Sequence, residues 1–109
     1  MNALLQKHCV PCEGGVPKLS ASIVKTLLLD IPGWEVDEAC AHLSRRWKFK
    51  NFNEAMAFVN AVARLSEEEN HHPDFAIHYS RVTLTLWTHA ITGLSQNDFI
   101  LAAKINALN

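Results

Sequence analysis

The sequence has no apolar run long enough to span a membrane, which needs about 18 residues or more. Its start, MNALLQKHCV, lacks the basic region followed by an apolar stretch that marks a secretory signal. Cysteine is scarce: Cys9, Cys12 and Cys40 are the three present, and an odd number cannot all pair within one chain. Together these absences predict no membrane span, no exported protein and a reducing, cytoplasmic location.

An excess of either charge is also missing. Ten Lys and Arg residues against eleven Asp and Glu residues give a net charge of −1. A dedicated nucleic-acid binder usually carries a basic excess, so the sequence predicts no nucleic-acid partner. The chain has 109 residues, of which 49% are hydrophobic, and this is enough for one core but too little for two.

Residues 1–18 show no clear hydrophobic period and are predicted to be an irregular N-terminal arm. Residues 19–109 are predicted to form a single domain. Three helices are predicted: one over about 20–30 capped by Ser20, a long one capped by Asn53 and ending near Glu68, and a last one opened by Ser95. Two strands, over about 34–39 and 42–50, are predicted between the first two helices. Two more, over 75–80 and 81–89, are predicted between the second and the third.

Alternation of apolar and polar residues is the main signal for the strands. Val82, Leu84 and Leu86 alternate with polar neighbours, as expected for a half-buried antiparallel strand. The order is helix, two strands, helix, two strands, helix. The economical architecture for this order is α+β, with three helices packed on one face of a four-stranded antiparallel sheet.

Two adjacent histidines, His71 and His72, stand directly before Pro73. A residue before proline favours an extended conformation, and successive side chains of an extended segment point in opposite directions. The two imidazoles are therefore poorly placed to bind one metal ion together. Proton transfer suits them better, because imidazole titrates near pKa ~6.5. His89 is a third candidate, although the residues alone leave a catalytic role and an idle surface position both open.

Other residues suggest weaker hypotheses. Cys9 and Cys12 form a C-x-x-C pair beside His8, but no second pair supplies the remaining ligands of a zinc site. His42 and His78 are expected at the surface. Asp98 has a structural explanation, since it stands three residues after Ser95 in the spacing of a capping box.

The histidines belong to a longer pattern. Three residues separate a glutamate from the motif His-His-Pro, and five residues separate this motif from an aromatic residue. Nine residues then separate the aromatic residue from a histidine, and an aspartate follows later. These positions are Glu67, His71, His72, Pro73, Tyr79, His89 and Asp98. With this spacing the chain closely resembles the pterin-4a-carbinolamine dehydratase family. The stretches IPGW, FKNFNEA and NDFILAAKIN extend the resemblance over about residues 17–107, and HCVPCEGG looks like the start of bacterial members.

The resemblance implies the same fold and a dehydratase reaction, in which 4a-hydroxytetrahydropterin loses water to give quinonoid dihydropterin. It implies His71, His72 and His89 as catalytic residues, without a metal or other cofactor. It also implies substrate contacts from Glu67, Pro73, Thr88 and Ala90. We expect His71 and His72 to matter most to the rate and His89 to position the substrate, while the choice of acid and base stays open.

The resemblance also bears on partners. It implies recycling of tetrahydropterin for an aromatic amino-acid hydroxylase, and a homodimer or homotetramer, between which the sequence does not choose. Animal members of the family also act as dimerisation cofactors of a homeodomain transcription factor. A non-catalytic role in binding a transcription factor or a hydroxylase is therefore the alternative function.

Overall fold

A computed structural model of the chain describes residues 3–9 and 17–108. Its main elements are α1 (Ala21–Leu28), β1 (Glu35–Val36), β2 (Leu43–Lys48), α2 (Phe52–Glu69), β3 (Asp74–His78), β4 (Arg81–Leu86) and α3 (Gln96–Asn106). The predicted α+β class and the predicted order of helices and strands are confirmed.

The sheet is antiparallel throughout, with the strand order β1-β2-β4-β3. The alternation in β2 and β4 places one set of side chains against the helices, and the register aligns Leu43 with Leu86 and Trp47 with Val82. These four side chains and Leu84 are buried. The opposite face of the sheet carries polar side chains and is open to solvent.

Capping residues fix where the helices begin. The predicted N-cap Ser20 accepts a hydrogen bond from the backbone of Ile23, and the predicted capping box of Ser95 and Asp98 is present. The predicted cap of α2 is wrong: Asn51, not Asn53, caps this helix by accepting from the backbone of Glu54 at 2.9 Å. Both asparagines suit a cap, and the turn out of β2 places Asn51 at the helix start.

All four predicted strands are longer than the observed ones, and local hydrogen bonding explains where the first and the last of them end. β1 ends at Val36, because the Asp37 carboxylate accepts from the backbone of Ala41 and His42 and forms a turn. β4 ends at Leu86, and a single 3-10 turn, His89–Ile91, follows it. This turn carries His89 out of the plane of the sheet.

The N-terminal segment contributes to the core although its sequence shows no period. Ala3–Gln6 forms one turn of 3-10 helix, too short to produce a visible pattern, and Leu4 is only 3% exposed. Cys12 lies outside the described residues. Within residues 3–9 and 17–108, no helix is both long and apolar enough to cross a lipid bilayer.

Candidate active site

A hollow of about 390 Å³ lies where the loop after α2, the start of β3 and the segment after β4 meet. Its lining residues are Asn70, His71, His72, Pro73, Asp74, Trp87, His89 and Ala90. Five of the seven residues predicted for the site are among them. The other two do not line the hollow: Glu67 reaches it through His72, and Thr88 lies behind His71.

A larger hollow, of about 610 Å³, lies between the N-terminal segment, α1 and α3. Its lining is mostly apolar and includes one imidazole, that of His8. The smaller hollow concentrates titratable side chains, so the candidate active site is placed there.

The end of α2 sets the directions of the two adjacent histidines. Asn70 ends the helix in the left-handed conformation, with φ of 52°, which asparagine tolerates better than most residues. The chain then runs extended through Pro73 into β3. As expected for an extended segment, the two side chains diverge: His71 points inward to Asp98 and His72 outward to Glu67.

The His71–Asp98 pair is buried. The imidazole Nε2 lies 2.6 Å from Oδ1 of Asp98, and the side chains are 7% and 0% exposed. The other carboxylate oxygen accepts from the Thr88 hydroxyl at 2.8 Å and from the Ser95 backbone at 3.0 Å. Because a carboxylate accepts but does not donate, Nε2 of His71 carries the proton. Asp98 therefore fixes both the orientation and the tautomer of this imidazole.

The His72–Glu67 pair is exposed. Nε2 of His72 lies 2.5 Å from Oε2 of Glu67, with the side chains 53% and 78% exposed. A pair this exposed adds little to folding stability. Its contribution is orientation, since Glu67 on the last turns of α2 holds the His72 ring at the mouth of the hollow.

His89 is held by an aromatic contact. The centroid of its ring lies 3.8 Å from that of Trp87, whose indole N–H donates to Asp74 at 3.3 Å. The centroid of the His42 ring lies 4.8 Å from that of the indole. Trp87 is half-buried and forms one wall of the hollow.

His42 forms its own pair with Asp37, 2.6 Å away and outside the hollow. Burial raises the pKa of Asp37, but hydrogen bonds from the Ala41 backbone and from the ring and backbone of His42 outweigh that effect. The pKa of Asp37 therefore lies below its ordinary value. Neither residue of this pair lines the hollow.

Asp98 belongs to the site although its sequence position is explained by helix capping. One oxygen caps α3 and the other holds His71, so a single carboxylate joins the helix start to the site. The family pattern includes Asp98, and this is the feature of the sequence that indicates a role for Asp98 in the site. The lining residues Asn70 and Asp74 carry no signal beyond their nearness to the adjacent histidines.

Each of the two adjacent imidazoles has a carboxylate partner, Asp98 for His71 and Glu67 for His72. In the part of the chain that the structure describes, no group of three or more His, Cys, Asp or Glu side chains converges as a metal site would require. Together the fold and the hollow define a small α+β protein with three imidazoles around one polar pocket. Such an arrangement suits proton transfer on a small ligand.

Comparison with known proteins shows the family to which the chain belongs. The family model for pterin 4 alpha carbinolamine dehydratase matches residues 17–108. The chain belongs to the pterin 4 alpha carbinolamine dehydratase family, and this membership identifies it as a dehydratase of the hydro-lyase class.

Two bacterial relatives carry the name "Putative pterin-4-alpha-carbinolamine dehydratase". The protein of Rubrobacter xylanophilus is 49% identical over 109 residues, covering 99% of this chain and 100% of the relative. The protein of Dechloromonas aromatica is 48% identical over 105 residues, covering 96% of this chain and 92% of the relative.

Two solved structures are also similar. A transcriptional coactivator/pterin dehydratase from Brucella melitensis has a TM-score of 0.80 at 33% identity, with 84% of this chain and 98% of that chain covered. A pterin dehydratase-like protein, a RuBisCO assembly factor in the alpha-carboxysome, has a TM-score of 0.61 at 26% identity, with 72% of this chain and 92% of that chain covered.

Proposed function

We propose that the chain removes water from 4a-hydroxytetrahydropterin, and that His71, His72 and His89 carry out the reaction. The observation that supports this most strongly is that three histidines line one hollow, two of them each hydrogen-bonded to a carboxylate. Pro73 and Ala90 complete the lining as substrate contacts. Glu67 and Thr88 do not line the hollow, and they orient His72 and Asp98 through hydrogen bonds.

The reaction needs two proton transfers. The hydroxyl group on carbon 4a receives a proton and leaves as water, while a base takes the proton from ring nitrogen N5. A double bond between N5 and carbon 4a then gives the quinonoid dihydropterin. A well-placed proton donor or acceptor contributes about 10²–10⁴-fold to the rate of such a step.

The different surroundings of the two adjacent histidines favour different roles. His71 is buried and its ring is held in one orientation by Asp98, which suits the role of the base that takes the proton from N5. His72 lies at the solvent side, where it can be reprotonated from water and where the leaving water departs. His89, held against Trp87, positions the pterin ring.

The wider setting follows from family membership. We infer a cytoplasmic enzyme without a metal or other cofactor, which returns quinonoid dihydropterin to a reductase in the service of an aromatic amino-acid hydroxylase. A homodimer or homotetramer is supported by the edge strand β3, whose outer hydrogen-bonding side has no strand partner among the described residues. Its side chains Phe75 and Ile77 are 38% and 37% exposed.

The test is direct. A phenylalanine hydroxylase generates 4a-hydroxytetrahydropterin, and ultraviolet absorbance follows its dehydration with and without the purified chain, in buffer containing a metal chelator. We expect the chain to accelerate the dehydration and the chelator to have no effect. A well-folded chain that gives no acceleration would contradict the proposal and would favour the non-catalytic protein-binding role instead.

A further inference from the structure

The open face of the sheet carries a group of basic side chains at the end of β4 farthest from the candidate active site. Lys48 lies directly opposite Arg81 in the β2–β4 register, and Arg81 lies directly opposite His78 in the β3–β4 register. Arg46 lies on the same face, opposite Thr83. All four basic side chains are exposed. We call Arg46, Lys48, His78 and Arg81 the basic cluster.

Among the described residues, no acidic side chain forms an ion pair with Arg46, Lys48 or Arg81. Side chains directly opposite on antiparallel strands have Cβ atoms about 4.5–5.5 Å apart, where like charges destabilise the sheet. The facing pair of Lys48 and Arg81 therefore weakens the fold unless an anion lies between the two side chains.

The acidic residues of this face lie too far away to be that anion. Asp74 lies opposite Thr85, and Glu35 lies opposite Ser44. Both positions are four residues along the strands from Arg81 and Lys48, about 13 Å at the rise of a β-strand. In the part of the chain that the structure describes, one end of the open face is thus basic and the other acidic, with no acidic strand residue beside the basic end.

Two adjoining hollows give the cluster a concave shape. One, of about 370 Å³, is lined by Thr83 and Trp47 together with all four basic residues. The other, of about 600 Å³, is lined by Tyr79 and Ser80 together with Lys48, His78 and Arg81. The three shared side chains therefore border both hollows, and an anion placed over them contacts several cations at once.

The chemistry of the cluster matches phosphate. Guanidinium groups bind phosphate oxygens through paired hydrogen bonds, and an ammonium group adds a point charge. The cluster spans three neighbouring strands, about 10 Å, which fits a compact di- or triphosphate group. A single-stranded nucleic acid fits less well, because the next residues on this face, Ala76 and Thr85, carry no positive charge that would continue a track for a longer backbone.

We propose that the basic cluster is a binding site for a compact phosphate-bearing anion of the size of a di- or triphosphate group. The site is separate from the candidate active site, since Trp87 follows Arg81 by six residues, about 20 Å along β4. The proposal is independent of the dehydratase reaction and stands if that reaction is not found.

Inorganic tripolyphosphate is the probe for the test. Calorimetric titration into the full chain measures the Kd, and thermal unfolding measures the rise in Tm, with sodium chloride at equal ionic strength as the reference. The variants are Arg81→Gln and Lys48→Gln. Arg64→Gln, an exposed arginine on α2, is the matched control because it removes the same charge elsewhere.

We expect wild type to bind tripolyphosphate, each cluster variant to bind about tenfold more weakly or worse, and Arg64→Gln to bind as wild type does. Lys48→Gln should also unfold at a higher temperature than wild type in low salt without ligand, since it removes the repulsion from Arg81. A nucleoside triphosphate that binds like tripolyphosphate would support the proposal equally.

Three results would overturn it. The first is a rise in Tm no larger than sodium chloride gives, with no heat of binding. The second is an equal loss of affinity in Arg64→Gln and in the cluster variants, which would show a general charge effect. The third is a single-stranded oligonucleotide that binds more tightly than tripolyphosphate through Arg81 and Lys48, which would indicate a nucleic-acid surface.

Discussion

Replacing Asp98 by asparagine tests the buried carboxylate while keeping its shape. Asp98 is fully buried and serves three donors: the ring of His71, the hydroxyl of Thr88 and the backbone of Ser95. The amide oxygen can still accept from Thr88 and Ser95. The amide N–H group then faces His71 as a donor, so Nε2 must lose its proton and the imidazole adopts the other tautomer.

The magnitude follows from these contacts. The fold loses one charge-assisted hydrogen bond, which costs about 1.5–3 kcal/mol of the free energy of unfolding. A domain of ordinary stability, about 5–15 kcal/mol, stays folded after that loss. Because the wrong tautomer removes the benefit of a correctly protonated imidazole, we expect kcat to fall by about 10²-fold or more. KM should change little, since Asp98 does not line the hollow.

Three measurements decide the outcome. The dehydration assay gives kcat and KM, urea unfolding gives the stability, and nitrogen-15 NMR of the histidine rings reports which nitrogen of His71 carries the proton. Asp37→Asn is the matched control, because Asp37 also lies 2.6 Å from a histidine but outside the hollow. A folded Asp98→Asn protein with a kcat within threefold of wild type would refute the reasoning.

Two further predictions concern the Glu69 carboxylate and the Trp87 side chain. Burial raises the pKa of Glu69, but hydrogen bonds from Lys104, the Cys9 backbone and His8 outweigh it and lower the pKa from 4.5 to about 2. A lowered carboxyl pKa stabilises the fold above the unfolded value, so about 3 kcal/mol should be lost as the pH falls from 4.5 to 2. Urea unfolding across this range should show that loss in wild type and not in Glu69→Gln, and equal slopes would contradict it. For Trp87→Ala, which removes the wall behind His89, we expect KM for the pterin to rise about 2–10-fold with a smaller change in kcat, measured in the dehydration assay. An unchanged KM would show that the indole does not contact the substrate.

The regular parts of the fold follow from local patterns. The alternation in β4 and the capping residues Ser20 and Ser95 determine which segments are strands and where helices begin, and the sequence shows both. The choice between Asn51 and Asn53 as the cap of α2 depends on how the chain leaves β2. Both residues are asparagines and suit an N-cap equally, so the sequence alone could not show which of them caps the helix.

The site combines local spacing with contacts that only the folded chain makes. The positions of His71, His72 and His89 are recognisable from spacing. The contact of His71 with Asp98 joins residues 27 apart, and that of Cys9 with Glu69 joins residues 60 apart. Both depend on how α3 and the N-terminal segment pack against the end of α2. The half-burial of Trp87 likewise depends on neighbours distant in sequence, such as His42.

The most direct test of the central claim is the kcat for dehydration of 4a-hydroxytetrahydropterin in the single variants His71→Ala, His72→Ala and His89→Ala. The matched control is His8→Ala, whose side chain is 82% exposed and does not line the hollow. We predict a loss of about 10²-fold or more for His71→Ala and His72→Ala, a smaller loss with a raised KM for His89→Ala, and no loss for His8→Ala. Folded variants of all three site histidines that match the control would contradict histidine acid–base catalysis in this hollow.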